Sequence, residues 1–482
     1  MQVHRGHLLH ITGSPAVWAA RDSLVEESDG ALVVDALGRI LYSGPFWAMP
    51  DRFRIAPVRD HRPAFLIPGF VDTHVHFPQV FSVAAHGGGT LLNWLDRCIF
   101  PAEARLREPE HARRAAAAFC SARIRAGTTA AMVFGSAFPA AQNALFEATA
   151  RAGLRIVSGR GIQTRGPAAA APLLTGDREA EDLCRLEIER WHCADQPDRP
   201  DLAHLQVALV PRFALSVTTE TLRWLGDLYD ELRDKGVYFH SHLSENDAPG
   251  TGEVDAVCRD FGTVSYLDTY DGAFLPGSEP SGRSLLGRRS ILAHAVHCTE
   301  AELARLSATG TSIAHCPTSQ LFLGSGTMPW LRTVRSGVTV ALGSDVGAGD
   351  EWLISRVAND CFKVHMSERA PFATAIDPAA LLYTATLAGA KALDMEARFG
   401  NLDAGKDADF LVVDPREWEP LERALESVRG SADSLVFSLL MTMREPAITS
   451  VFVAGKEVSA ATDASPPETT GLAAEPSTAF DS

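Results

Sequence analysis

Residues Pro68–Gln79 read Pro-Gly-Phe-Val-Asp-Thr-His-Val-His-Phe-Pro-Gln, and the rest of the chain is read outward from them. The run 65–71 ahead of the histidines is apolar and strand-like, which places His74 and His76 on its continuation. Successive side chains on a strand point to opposite faces, so both imidazoles share one side and Val75 takes the other. Two neutral imidazoles converging from one strand make the first half of a zinc or iron site. An isolated His-x-His is more often a pair on a polar strand face, so the positions of other donors decide what it means.

Strand and helix alternate downstream. Short apolar or β-branched runs occur at 128–134, 154–162, 205–213, 237–243, 290–297, 311–316 and 339–344, which with 70–76 makes eight. Helical stretches intervene: 102–125 is alanine-rich, 140–152 is amphipathic, and 219–235 carries Leu222, Leu225, Leu228 and Leu232 at helical spacing. Eight such units predict an α/β fold, a (β/α)8 TIM-like barrel over 68–400, with chemistry at the C-terminal ends of the strands. The flanks read differently. In 1–67, runs at 31–34 and 39–42 enclose the turn Asp35-Ala-Leu-Gly38, and 401–458 holds further strand-like runs at 409–413 and 450–453. The two flanks are expected to pair as one small β-sandwich built from both chain ends. The segment 459–482, rich in Ser, Ala, Pro, Thr and Glu, reads as a disordered tail.

The strand ends can now be compared. Strand one offers His74 and His76, strand four ends Val210-Pro-Arg212-Phe213, and strand five ends His240-Ser-His242-Leu-Ser-Glu245. Strand six carries His294, strand seven His315, and strand eight ends Gly343-Ser-Asp345. His74, His76, His242 and Asp345 form a three-imidazole, one-carboxylate set suited to one divalent metal with a position open to water. His240 and His242 share a strand face, so spacing alone does not choose between them.

Composition narrows the class. At 482 residues, 46% hydrophobic and 22% charged, the chain reads as an ordinary soluble globular protein with room for a large core. A net charge of −16 argues against a nucleic-acid partner. Eight cysteines without a Cys-x-x-Cys suggest neither a disulfide framework nor a cysteine zinc site. No apolar stretch reaches membrane-spanning length and the first residues lack a signal-type core, so a cytoplasmic location and no membrane partner are expected.

His-x-His after strand one, His after five and six, and Asp after eight together resemble the amidohydrolase superfamily. The stretch 400–410, Gly-Asn-Leu-Asp-Ala-Gly-Lys-Asp-Ala-Asp-Phe, is similar to that superfamily's re-entry into its small β domain. Four further stretches, 91–103, 211–216, 241–246 and 312–319, resemble its guanine deaminases, over about 38–458 in all. The resemblance implies metal ligands His74, His76, His242 and Asp345 around one divalent ion, Zn2+ by family habit, although Fe2+ accepts the same donors. Two-metal members place a carboxylated lysine after strand four; 205–216 contains none, and the Arg212 guanidinium stays protonated, so one metal is expected. His294 then holds the attacking water rather than the metal.

The implied reaction is hydrolytic deamination of guanine to xanthine and ammonia. Its expected catalytic groups are Asp345, taking a proton from water, Glu245, protonating ring N3, and His294. Expected substrate contacts are His76, Gln79, Arg212, Phe213, His242, Glu245 and Asp345. A homodimer is also implied. Plainer readings stand beside these: His240 as interior packing, His315 as a satisfied structural histidine, His86 and His297 as loop residues, and Trp94 and Phe100 as core or pocket wall. His86-Gly-Gly-Gly89 resembles an esterase oxyanion loop, but no Gly-x-Ser-x-Gly elbow accompanies it. Departures from the guanine deaminase pattern are apparent insertions at 247–252 and 276–283, Ala295 where glycine often stands, and Asp350-Glu-Trp352. These leave 8-oxoguanine or a pterin as rival substrates, and a non-catalytic barrel as the rival from another class.

Overall fold

The computed structural model describes residues 1–86, 91–247, 252–275, 283–368, 375–428 and 430–460. Eight parallel strands form the barrel expected from the alternation. Strands one and two are Phe70–His76 and Thr128–Phe134, and strand three is Arg155–Gly159 with a short continuation at Gly161–Ile162. Strands four to eight are Leu205–Pro211, Tyr238–Leu243, Ser290–His294, Ser312–His315 and Val340–Leu342. They pair in chain order from one to eight. Nearly every residue in them is buried, as strands covered on both faces require, which is why they read as continuous apolar runs.

The seam between strands one and eight is closed by specific bonds. Thr73 Oγ1 donates to Leu342 O at 2.9 Å, Asp345 N to His74 O at 2.8 Å, and His76 N to Val346 O at 3.2 Å. The buried Asp72 carboxylate accepts from His74 N at 3.2 Å, Ser344 N at 3.0 Å and Ser344 Oγ at 2.5 Å. Strand one is thereby fixed in register against the segment that ends in Asp345. That register brings the two most widely separated donors of the sequence to one place.

Three expected elements differ from those observed. The run 154–162 breaks at Arg160, because the backbones close up there: a Cβ on Gly159 would lie 1.8 Å from Ala208 O. The stretch 102–125 is not one helix. Phe100–Ala104 ends in a 3-10 turn, Arg105–Arg107, and a new helix starts at Pro109, a residue tolerated in a first turn but not inside a helix. The run 290–297 stops at His294, where the backbone turns left-handed. The helix Thr219–Leu232 keeps its leucine stripe inward and is capped by the Thr218 hydroxyl, which accepts from Thr221 N.

The chain ends build one seven-stranded sheet. Its order is Lys456–Val458, Ile448–Val453, Phe410–Val413, Val58–Pro68, Gln2–Ile11, Leu24–Val34 and Ile40–Pro45. Leu8, Leu32, Ile40, Leu66, Phe410 and Phe452, from six of these strands, share one apolar interior, as expected of a small sandwich. Arg155 crosses from barrel strand three to join it, bonding Asp407 at 2.7 Å and Asp409 at 2.6 Å. Two helices absent from the sequence reading, Glu419–Glu426 and Ala432–Thr442, lie between the last sheet strands. Met441 O accepts from Arg356 and Asn359 of the barrel helix Ile354–Ser367, which ties this insert to the barrel. No helix among the described residues is long and apolar enough to cross a membrane. The 276–283 insertion apart from Arg283, the 247–252 insertion apart from Asp247 and Gly252, residues 87–89 of the His-Gly-Gly-Gly stretch, and the tail from 461 lie outside the described residues.

Candidate metal centre and active site

The C-terminal strand ends converge. His76 Nε2 lies 3.2 Å from His74 Nε2, 3.2 Å from His242 Nε2 and 3.2 Å from Asp345 Oδ1. His74 Nε2 lies 3.2 Å from the same carboxylate oxygen. Donor atoms of His74, His242, His294 and Asp345 also fall within 4.8 Å of one another, so His294 adjoins the cradle. His294 Nε2 is 3.4 Å from Glu245 Oε2 and 3.9 Å from Asp345 Oδ2. The fourth strand, Leu205–Pro211, contributes no lysine to this group.

Local backbone geometry aims these side chains. Ser244, His294, Ala295 and Asp345 all have positive φ, between 46° and 74°, a region that non-glycine residues seldom occupy. Each sits where a buried strand must turn at once to leave the barrel mouth. Left-handed φ at Ala295 explains why glycine suits that position, and strain of this kind gathers at functional sites.

Hydrogen bonds fix which nitrogen faces inward. His240 Nδ1 meets Ile291 O at 2.8 Å, and a carbonyl only accepts, so Nδ1 carries the proton and His240 Nε2 is an acceptor. His74 Nδ1, 2.7 Å away, therefore donates to it, which leaves the His74 Nε2 lone pair toward the cradle. His242 Nδ1 donates to Arg212 O at 2.5 Å with the same result. Lone pairs and a carboxylate oxygen packed 3.2 Å apart repel unless a cation lies among them. The donor set therefore fits a divalent metal; the Arg212 carbonyl that holds His242 is of the kind metal sites use, His74 is held by a second imidazole, and His76 Nδ1 has no partner among the described residues.

Charge is divided unequally around the cradle. Burial alone would raise the Asp345 carboxyl, but positive charge on the side of the facing His74, His76 and His294 imidazoles holds it well below the usual carboxylate range. Burial pushes Glu245 well above its ordinary range, reinforced by the Asp345 and Glu253 carboxylates. Ser325 Oγ donates to Glu245 Oε1 at 3.2 Å, and His297 Nε2 donates to Ser325 O at 2.8 Å. Two carboxyl groups driven apart in this way can serve as base and acid in one reaction.

A cavity opens over the cradle, lined by His76, Gln79, Trp94, Arg212, Phe213, His242, Glu245 and Asp345 among others. Every residue expected to contact substrate is on this wall. Phe100 is instead stacked behind Arg212, whose guanidinium lies 5.1 Å from its ring centre.

Some plain readings need correction. His240 is not mere packing, since it sets the His74 tautomer. His315 is fully buried, but neither ring nitrogen has a partner among the described residues, so it is not a satisfied histidine. His297 is more than a loop residue, because it holds Ser325 against Glu245; His86 is exposed. Glu351 and Trp352 turn away to bond Arg444 and pack on Phe119. Sequence reasoning missed Glu103, Glu253 and Ser325. The one sequence signal for Glu103 is its place as the last residue of the resembling stretch 91–103.

A (β/α)8 barrel with a small β domain from both chain ends, and histidines and an aspartate at its strand ends, is a metal-dependent hydrolase architecture. The profile of the amidohydrolase family matches residues 65–458, and the chain belongs to that family. It is 38% identical over 442 residues, 90% of this chain and 93% of the relative, to a probable guanine deaminase of Deinococcus radiodurans. It is 34% identical to the guanine deaminase of Escherichia coli over 86% of this chain and 87% of that one. The solved structure of the E. coli guanine deaminase superposes with a TM-score of 0.82 at 30% identity, covering 95% of this chain and 98% of that one.

Proposed function

We propose that this protein hydrolyses guanine to xanthine and ammonia. The observation that carries the reading is that Gln79, Arg212 and Glu245 line the cavity of the histidine cradle in a chain 38% identical to a probable guanine deaminase. In this reading His74, His76, His242 and Asp345 hold one divalent cation, zinc, which supplies the Lewis acidity that brings the pKa of a water toward neutrality. His294 orients that water from the edge of the cradle.

Asp345 takes a proton from the water as its oxygen bonds to C2, the carbon bearing the amino group. Glu245 gives its proton to N3, which makes C2 electrophilic, and recovers one from the new hydroxyl. The proton on Asp345 passes to the amino nitrogen as the C2–N bond breaks, and ammonia leaves. Gln79 and Arg212 grip the far edge of the purine while Phe213 lies along the cavity wall. The same reading takes a cytoplasmic homodimer, and a division into barrel, 68–400, sandwich pieces, 1–67 and 401–458, and tail, 459–482.

Ammonia release from guanine, 8-oxoguanine and pterin tests the reaction. Guanine is expected to be the best substrate by kcat/KM. Faster release from either of the others, or none from guanine, would overturn the assignment.

A further inference from the structure

Behind the cavity wall, the buried Glu103 carboxylate is shared by two residues that face the cavity. Gln79 Nε2 donates to Glu103 Oε1 at 3.0 Å, and Arg212 Nη1 donates to Glu103 Oε2 at 2.6 Å. Glu103 itself does not line the cavity. A glutamine amide on its own can present either its oxygen or its NH2 group to a ligand. A carboxylate paired with a guanidinium only accepts, so it claims the NH2 of Gln79 and turns Oε1 away. That Oε1 atom is buried and has no partner among the described residues. Arg212 has only donors to offer.

We infer that Glu103 is a positioning residue that sets the hydrogen-bond polarity of the recognition wall, with Gln79 as acceptor and Arg212 as donor. The inference rests on the guanine reading and says which edge of the purine the wall selects. An N–H beside a carbonyl, as at N1 and O6 of guanine, meets a complementary partner at both positions. The amidine edge of a 6-aminopurine, whose N1 accepts and whose amino group donates, meets acceptor with acceptor and donor with donor. Buried mismatches of this kind discriminate strongly, because both groups lose their partners.

Binding to the metal-loaded protein tests this by calorimetry. Hypoxanthine carries the lactam edge and adenine the amidine edge, and neither has the 2-amino group. Hypoxanthine is expected to bind at least about tenfold more tightly; equal binding would overturn the inference. In Glu103→Gln the new amide oxygen remains with Arg212 and its NH2 turns to Gln79, so Gln79 inverts and shows its own NH2 to the cavity. The hypoxanthine preference should then fall about tenfold or more, and KM for guanine should rise more than kcat falls, with metal content unchanged. In a Gln79→Met background the same substitution should leave the preference where it was. Equal weakening of both ligands by Glu103→Gln would mean a merely structural role and contradict the proposal. If wild type released no ammonia from guanine yet still preferred hypoxanthine, the reaction would be wrong and the wall polarity right.

Discussion

The cradle and the recognition wall are neighbours built by opposite means. The cradle is made at the ends of parallel strands, where a pairing register and a two-residue period place His74, His76, His242 and Asp345 within contact distance. The wall is made by segments that leave the strands: Gln79 from a turn after strand one, Arg212 just past strand four, and Glu103 from a short helix that unites them. The cradle is held by the barrel and the wall by a side-chain network. Damage to the cradle should abolish chemistry or metal binding, whereas damage to the wall should change which substrate is held and how tightly.

The largest effect expected at the border of the two regions is that of Glu245→Gln. Removing a positioned proton donor should lower kcat about 10²- to 10⁴-fold while metal stays near one per chain. Metal analysis beside the kinetics checks this, and loss of metal would make Glu245 part of the cradle.

A smaller effect is expected one layer deeper. His240→Leu removes the acceptor that fixes His74, and should weaken metal binding about 10- to 100-fold in a competition titration with a chromophoric chelator. His240→Gln keeps an acceptor oxygen near the lost Nε2 and should recover most of that affinity. Equal losses in the two variants would reduce His240 to packing.

The smallest effect is on stability and belongs to the wall side. Burial pushes Glu253 up to about 7, against three donors including Tyr266 Oη at 2.5 Å and Glu245 N at 3.3 Å. The fold thus holds this proton more tightly than the unfolded chain does. Its contribution is full below the ordinary glutamate range and is lost as pH rises through about 7. Between pH 5.5 and 8 wild type should lose roughly 2 kcal/mol more stability than Glu253→Gln, read by denaturant unfolding at each pH. Parallel pH profiles for the two proteins would contradict the assignment.

What was legible in the sequence follows the same division. Strand periodicity displayed the barrel, which depends on local repeats, and histidines at strand ends marked the cradle, although choosing His242 over His240 took the family resemblance. The sheet order of the small domain was not legible, since Val58–Pro68 lies between Phe410–Val413 and Gln2–Ile11, a pairing that no local pattern encodes. The helical insert between Phe410–Val413 and Ile448–Val453 is illegible for the same reason, as its apolar face is meaningful only against Ile354–Ser367. His240 and His242 have identical strand context; the structure separates them, with His242 Nε2 3.2 Å from His76 Nε2 and His240 Nε2 taken up by His74 Nδ1. In sequence Glu103 is any helical glutamate; only the fold puts Gln79 and Arg212 on its two oxygens.

The central claim is that one cation gathered by His74, His76, His242 and Asp345 is required for deamination of guanine. Chelator-stripped protein, titrated with Zn2+ while ammonia release from guanine is followed, tests it most directly. Activity should be absent at the start, rise linearly and level off at one equivalent per chain. Full activity in the stripped protein, or a plateau at two equivalents, would contradict it.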